Sequence, residues 1–212
     1  MREVLEEELP VGEVGEDIVV GEVASLRSSL KWFERRPLLG KTIVVTRARE
    51  QASDLVHQLT EYGAECIQCP TIRVVSPSDW APVDQAIQAL DRYDWVVFTS
   101  VNGVDYFFRR LFAKGFDLRA LGHVKTASIG PATAERLRQQ GLRSDIVPAS
   151  YRAESVVEAF AAETVAGQRI LLPRAAEARP ILPDELRRMG ATVDEIATYH
   201  TRPVTDGARD LV

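Results

Sequence analysis

Polar residues at the end of one apolar segment give the strongest indication of chemistry in this sequence. The segment 95–98 stops at Thr99, Ser100 and Asn102, and helical periodicity begins at Val104. In an open α/β sheet, ligands bind at the carboxyl edge, where the N–H groups of the next helix's first turn are unpaired. We therefore predict that these side chains bind an anionic ligand, although the same residue types also cap helices without any ligand.

The same order, a predicted strand with small or polar residues at its end and then a predicted helix, recurs around segments 42–47, 125–130 and 169–174. An arginine just past a strand end can bind a carboxylate through two parallel hydrogen bonds, although an exposed arginine can also be merely solvated. The candidate ligand-binding residues are Arg47, Thr99, Ser100, Asn102, Gly130, Thr133 and Arg174.

Hydrophobic periodicity predicts the elements that would position these residues. We expect strands at 42–47, 66–75, 95–99, 124–129, 145–147, 169–172 and 192–200, and helices at 50–62, 83–90, 103–113, 131–140, 153–162 and 182–189. Such alternation predicts an α/β fold with a parallel sheet and right-handed crossovers. A weak repeat of the form strand, helix, Gly-Ala, strand is present at 42–75 and again at 169–204.

Composition narrows the class of partner. The chain has 212 residues, 27% charged residues and a net charge of -5, with both signs mixed along the helices, so a nucleic-acid partner is not expected. No apolar segment is long enough to span a bilayer, and residues 1–9 are acidic where a signal peptide would be basic and then apolar. We expect a cytoplasmic protein.

Two short motifs resemble functional sites and are rejected. Cys66 and Cys69 form a C-x-x-C pair inside a predicted strand rather than at a helix N-terminus, and no second cysteine pair could complete a zinc site. Gly40-Lys41-Thr42 resembles the end of a P-loop, but Arg35 stands where the first glycine is required. We predict neither metal binding nor nucleotide binding from these motifs.

Five motifs in their order along the chain resemble the uroporphyrinogen-III synthase family. They are Ile43-Val-Val-Thr-Arg-Ala48, Trp95-Val-Val-Phe-Thr-Ser-Val-Asn-Gly103, Ser128-Ile-Gly-Pro-Ala-Thr-Ala134, Ile170-Leu-Leu-Pro-Arg-Ala175 and Thr198-Tyr-His-Thr-Arg202. Residues 18–36 are similar to the tail of uroporphyrinogen-III C-methyltransferase, which is fused ahead of the synthase in some bacteria. The resemblance thus implies a piece of such a fusion, or a truncated gene model.

The family resemblance implies two Rossmann-like lobes joined by a two-stranded linker. Residues 76–191 would form the intact lobe, and residues 40–65 would open the other, incomplete lobe. The linker would use segment 66–75 and the returning strand that starts segment 192–212, while 1–39 would be an acidic arm and the methyltransferase-like tail.

The family's activity is the cyclisation of hydroxymethylbilane, a linear polycarboxylate, to uroporphyrinogen III, with no metal or organic cofactor. By this resemblance Tyr199 is the catalytic candidate, whose phenol could donate a proton to the departing hydroxyl. A tyrosine in a strand is more commonly a packing residue.

The alternative function is a non-catalytic tetrapyrrole-binding or partner domain of a methyltransferase. A flavodoxin-like or response-regulator module is disfavoured, because the strand ends of this sequence do not supply the acidic phosphoacceptor pocket that such a module needs.

Overall fold

The computed structural model describes residues 35–148, 150, 152–161 and 163–204. The expected acidic arm and most of the methyltransferase-like tail lie outside the described residues. The chain divides into two compact units, one containing 35–45 and 51–68, the other containing 46–50 and 69–204. No helix in these described ranges is long and apolar enough to cross a membrane.

The smaller unit contains one strand-helix-strand repeat. Strand β1 (Thr42–Val45) pairs in parallel with β2 (Glu65–Gln68), and helix α1 (Arg49–Glu61) lies between them in sequence. Gly63 follows the helix with a φ of 95°, a left-handed conformation that glycine adopts without steric cost. The chain therefore reverses sharply here, as the Gly-Ala pattern predicts.

The predicted strand 66–75 is wrong as a single element. It divides into β2 and β3 (Ile72–Val75), and the residues between them include Pro70. Proline has no N–H to donate to a strand ladder, so the pairing of β2 cannot continue through it.

The larger unit is built on a five-stranded sheet with the order β3-β7-β6-β4-β5. Its remaining strands are β4 (Trp95–Phe98), β5 (Lys125–Ser128), β6 (Arg169–Ala175) and β7 (Thr192–Pro203). These four are parallel, as predicted, whereas β3 runs antiparallel to the end of β7, with Val75 opposite His200. The predicted strand 145–147 is reduced to a single bridge between Ile146 and Ala127.

Alternate residues of the central strands build two apolar cores on opposite faces of this sheet. Val96 and Phe98 pack into one core, and Trp95 and Val97 into the other. The first core is completed by helices α2 (Ala81–Gln88), α3 (Val101–Ala113) and α4 (Pro131–Gln139), and the second by α5 (Ala153–Phe160) and α6 (Ile181–Arg188). Strand β4 is buried along its whole length, which explains its continuous apolar sequence.

Candidate functional site

A cavity of about 590 Å³ lies at the carboxyl edge of the parallel strands of the larger unit. Thr99 and Ile129 reach it from the ends of β4 and β5, Arg174 from β6 and Tyr199 from β7. Its other lining residues are Arg152, Glu154, Ala175, Glu177, Ala178, Arg179 and Leu182. The cavity is therefore at the edge where the strand tips predict a ligand.

Tyr199 is held at this cavity by contacts with helix α3. Its side chain is almost buried, with 7% of the residue exposed, and its hydroxyl lies 2.9 Å from Ser100 Oγ. Its ring stacks on Tyr106 at a centroid distance of 5.8 Å. The tyrosine assigned by family resemblance thus lines the cavity and contacts one of the predicted strand-tip residues.

Ser100 is the N-cap of helix α3. Its backbone is extended, and its Oγ accepts a hydrogen bond of 2.9 Å from the Gly103 N–H. This bond satisfies one of the N–H groups that a helix start leaves unpaired. The capping role that the sequence left open is therefore present, together with the contact to Tyr199.

Arg174 is not just past a strand end, as the sequence suggested, because β6 extends to Ala175. Its side chain is 7% exposed, and Nη1 donates to Glu195 at 2.9 Å. Nη2 donates to the main-chain carbonyl of Arg179, while Glu195 also accepts from Arg187 at 2.9 Å. Two arms of the guanidinium are thus bonded to protein acceptors, because the strand register brings Glu195 within reach.

Four other predicted residues do not line the cavity. Gly130 and Thr133 are buried at the start of α4, Gly130 as its N-cap. Asn102 is half-buried in the first turn of α3, and Arg47 is exposed between β1 and α1. Since none of these four lines the cavity, their role in ligand binding stays a prediction.

Four charged residues of the cavity were missed from the sequence: Arg152, Glu154, Glu177 and Arg179. Arg152 immediately precedes α5, and Arg179 lies two residues before α6. Because both stand between a predicted strand and a predicted helix, the rule that selected Thr99 could have found them.

Glu177 is fixed by the returning strand. Its carboxylate accepts from the Thr201 N–H at 3.1 Å and lies 2.9 Å from His200 Nδ1. These hydrogen bonds, that of Thr201 first, hold the pKa of Glu177 below its usual value. Glu177 is therefore a carboxylate at neutral pH, and it places negative charge on one side of the cavity.

One part of the cavity wall suits a ligand that is anionic at its periphery, whereas Glu154 and Glu177 place negative charge elsewhere on the wall. Arg152 and Arg179 supply positive charge, and within the described residues the starts of α5 and α6 have no side-chain cap, so their first-turn N–H groups can add hydrogen-bond donors. The phenol of Tyr199 adds a hydrogen-bond donor. The cavity can thus bind carboxylates at its rim and donate a proton from within.

Comparison with known proteins identifies the family. The family model described as "Uroporphyrinogen-III synthase HemD" matches residues 53–212. This chain belongs to the uroporphyrinogen-III synthase family.

Curated relatives agree with that family. A uroporphyrinogen-III synthase of Synechococcus elongatus is 39% identical over 168 residues, covering 79% of this chain and 63% of the relative. A "Porphyrin biosynthesis protein HemD" of Ruminiclostridium josui is 32% identical over 194 residues, covering 92% of this chain and 38% of the relative. The chain therefore spans between about two fifths and two thirds of the length of these synthase-family proteins.

A solved structure confirms the fold. A mutant uroporphyrinogen III synthase of Thermus thermophilus superposes with a TM-score of 0.61 at 17% identity, covering 79% of this chain and 65% of that chain. The α/β architecture expected from the synthase resemblance is thus confirmed, while the assignment of individual site residues stays a prediction.

Proposed function

We propose that this chain is the part of a uroporphyrinogen-III synthase that carries the catalytic tyrosine. The reaction closes hydroxymethylbilane to uroporphyrinogen III with inversion of the last ring and release of water, so the enzyme is a cyclising lyase in tetrapyrrole biosynthesis. Family membership and the name of the Synechococcus relative support this proposal. The observation that carries it is that Tyr199 lines a cavity at the carboxyl edge of the sheet whose wall also contains Arg152 and Arg179.

We propose that Tyr199 acts on the leaving group. As the carbon–oxygen bond of the substrate's hydroxymethyl group breaks, the electron pair stays on oxygen, and the phenol proton converts the departing hydroxide to water. The resulting cation is attacked by the last pyrrole of the same chain at the α-carbon that already carries its bridge. That bridge bond then breaks and re-forms at the free α-carbon of the same pyrrole, which inverts the ring. Holding the two ends of the chain together supplies much of the rate. The ring then loses a proton, which restores the phenol. The overall reaction is redox-neutral, and we propose that no cofactor takes part.

The substrate's carboxylates require binding sites around that centre. We propose Arg152 and Arg179, together with Thr99 and the N-terminal turns of the surrounding helices, for this role. Their charge and their position on the cavity wall support the assignment. Arg47, Asn102, Gly130 and Thr133 stay candidates for more distant carboxylates.

Product analysis tests the proposed activity. Hydroxymethylbilane is incubated with the 212-residue chain and, separately, with the product of the complete open reading frame that carries it, without added metal or nucleotide. We expect the type III isomer from the complete product, and little or none from the chain alone if the site needs a second wall. Only the type I isomer, which forms spontaneously, would contradict synthase activity; tight binding of the bilane without turnover would favour the non-catalytic alternative.

We also propose the two-lobe organisation and a link to methylation. The antiparallel pairing of β3 with the end of β7 supports a two-stranded linker there. A uroporphyrinogen-III C-methyltransferase of Bacillus subtilis is 29% identical over 136 residues, 64% of this chain and 27% of that protein, which supports a fused or associated methyltransferase. Sequencing the flanking DNA tests the fusion, and cell fractionation tests the predicted cytoplasmic location.

A further inference from the structure

Tyr199 is contacted by the start of helix α3, through Ser100, the N-cap, and through Tyr106. Gly103, between them, contacts Ser100. Ser100 Oγ lies 2.9 Å from the Tyr199 hydroxyl and accepts from the Gly103 N–H, while Tyr106 stacks on the Tyr199 ring. Residues spaced by three lie along one side of a helix, so these contacts come from one short stretch of backbone. Helix α3 thus holds both the ring and the hydroxyl of the tyrosine.

The hydrogen bonds of Ser100 bear on which way the Tyr199 proton points, because either hydroxyl could donate across their 2.9 Å contact. One lone pair of Ser100 Oγ is used by the Gly103 N–H. Within the described part of the chain, the Tyr199 oxygen is the acceptor in reach of the serine hydrogen. If the tyrosine donated instead, the serine hydrogen would have no protein acceptor, which is costly for a partly buried group. If the serine donates, the tyrosine proton faces the cavity, where a ligand oxygen can accept it.

Close approach of helix and sheet keeps this arrangement in place. A Cβ on Gly103 would lie 3.1 Å from the Pro173 carbonyl oxygen of β6 and 3.2 Å from Ser100 Oγ. The helix start is therefore seated closely against the sheet, and a side chain at this position would require the Pro173 carbonyl or Ser100 to shift by a few tenths of an ångström. The Arg109 guanidinium lies 5.0 Å from the Tyr106 ring centroid on the same helix.

We infer that Ser100 is a positioning residue that turns the Tyr199 proton toward the cavity and stabilises the phenolate formed when that proton leaves, rather than a carboxylate-binding residue. This inference rests on the proposed synthase function. In the reaction the Gly103 N–H donates to Ser100, Ser100 donates to Tyr199, and Tyr199 gives its proton to the leaving hydroxide. Negative charge on the phenol oxygen then faces the N-terminal end of α3, which favours an anion.

Steady-state kinetics of four variants of the complete open reading frame product test the inference. We expect Ser100→Ala to lower kcat about tenfold with KM within about twofold, because one hydrogen bond to a developing charge is lost. Ser100→Thr keeps the hydroxyl and should recover most of the rate. In a Tyr199→Phe background, Ser100→Ala should change kcat no further.

A carboxylate-binding serine would behave differently. It would raise KM, and its effect would persist in the Tyr199→Phe background, because substrate binding does not require the phenol. Either result would overturn the inference. Asp79→Ala is the matched control: Asp79 accepts from the Ala81 N–H at the start of α2 at 2.8 Å, outside the cavity, so this variant loses a helix-start hydrogen bond without changing kcat.

Unfolding measurements keep the test independent of activity. A double-mutant cycle of Ser100→Ala and Tyr199→Phe should show a coupling of roughly two- to tenfold in the unfolding equilibrium constant, as expected for one side-chain hydrogen bond. If the wild-type protein makes no type III product, the proposed function fails while this cycle still measures the contact. Additive effects on unfolding would show that the two hydroxyls are not coupled and would overturn the inference.

Discussion

The ion pair of Arg174 and Glu195 should respond unequally to loss of its two members. Their Nη1 and Oε2 atoms are 2.9 Å apart, but the arginine side chain is 7% exposed and the glutamate side chain is 34% exposed. Glu195 has a second partner, Arg187, whereas Arg174 has only the Arg179 carbonyl as its other hydrogen-bond acceptor within the described residues. Removing the glutamate therefore leaves a buried cation, whereas removing the arginine leaves a partly hydrated, still paired anion.

The expected magnitudes follow from that difference. Arg174→Met loses charge-assisted hydrogen bonds of about 1.5–3 kcal/mol each but also removes a buried charge, so we expect the free energy of unfolding to fall by about 1–2 kcal/mol. Breaking a fully buried pair costs about 3–5 kcal/mol, and discounting this for the exposure of Glu195 leaves about 2–4 kcal/mol for Glu195→Ala. The double variant should lose less than the sum of both.

Urea unfolding at neutral pH measures these differences. The control is Arg188→Met, which breaks an exposed pair with Glu185 on the surface of α6 and should change stability by less than about 0.5 kcal/mol. If Arg174→Met costs as much as Glu195→Ala, or if the two effects add, the buried guanidinium does not depend on Glu195 and the reasoning fails.

Four further outcomes are expected. Tyr199→Phe should lower turnover by about ten- to a thousandfold in single-turnover assays, and an unchanged rate would make it a packing residue. Thr99→Ala should mainly raise KM by a modest factor in steady-state assays; a pure kcat effect would contradict this. Gly103→Ala should lower the melting temperature, because overpacking costs about 1–3 kcal/mol against about 1 kcal/mol of helix propensity, and a rise would contradict the tight helix contact. The hydrogen bond from the Arg110 guanidinium holds the pKa of Asp84 below its usual value, so the stabilisation from this ion pair is present above that usual value and is lost as the pH falls through the lowered pKa. Asp84→Asn should therefore reduce the loss of unfolding free energy on acidification, and an unchanged pH profile would refute it.

Local sequence was sufficient for most of the elements. Helix α3 and strand β4 were predicted almost to their ends, because apolar periodicity and a serine cap act within a few residues. The edge of the sheet that forms the cavity also followed from the alternation of strands and helices. Strand lengths were less accurate: β6 and β7 both extend three residues further than predicted. Pairing with β7 lengthens β6, and pairing with β3 lengthens β7, past the apolar segment of each strand.

The sequence by itself determined the α/β architecture, the family and which strand tips carry polar residues, since these depend on local pattern and on motifs in order. Only the tertiary structure decided which side chains contact each other. Ser100 and Tyr199 are 99 residues apart in the chain, and Arg174 meets Glu195 across a strand register. Contacts of this kind depend on which strands are neighbours and on their register, and the one-dimensional pattern of hydrophobicity does not contain that information.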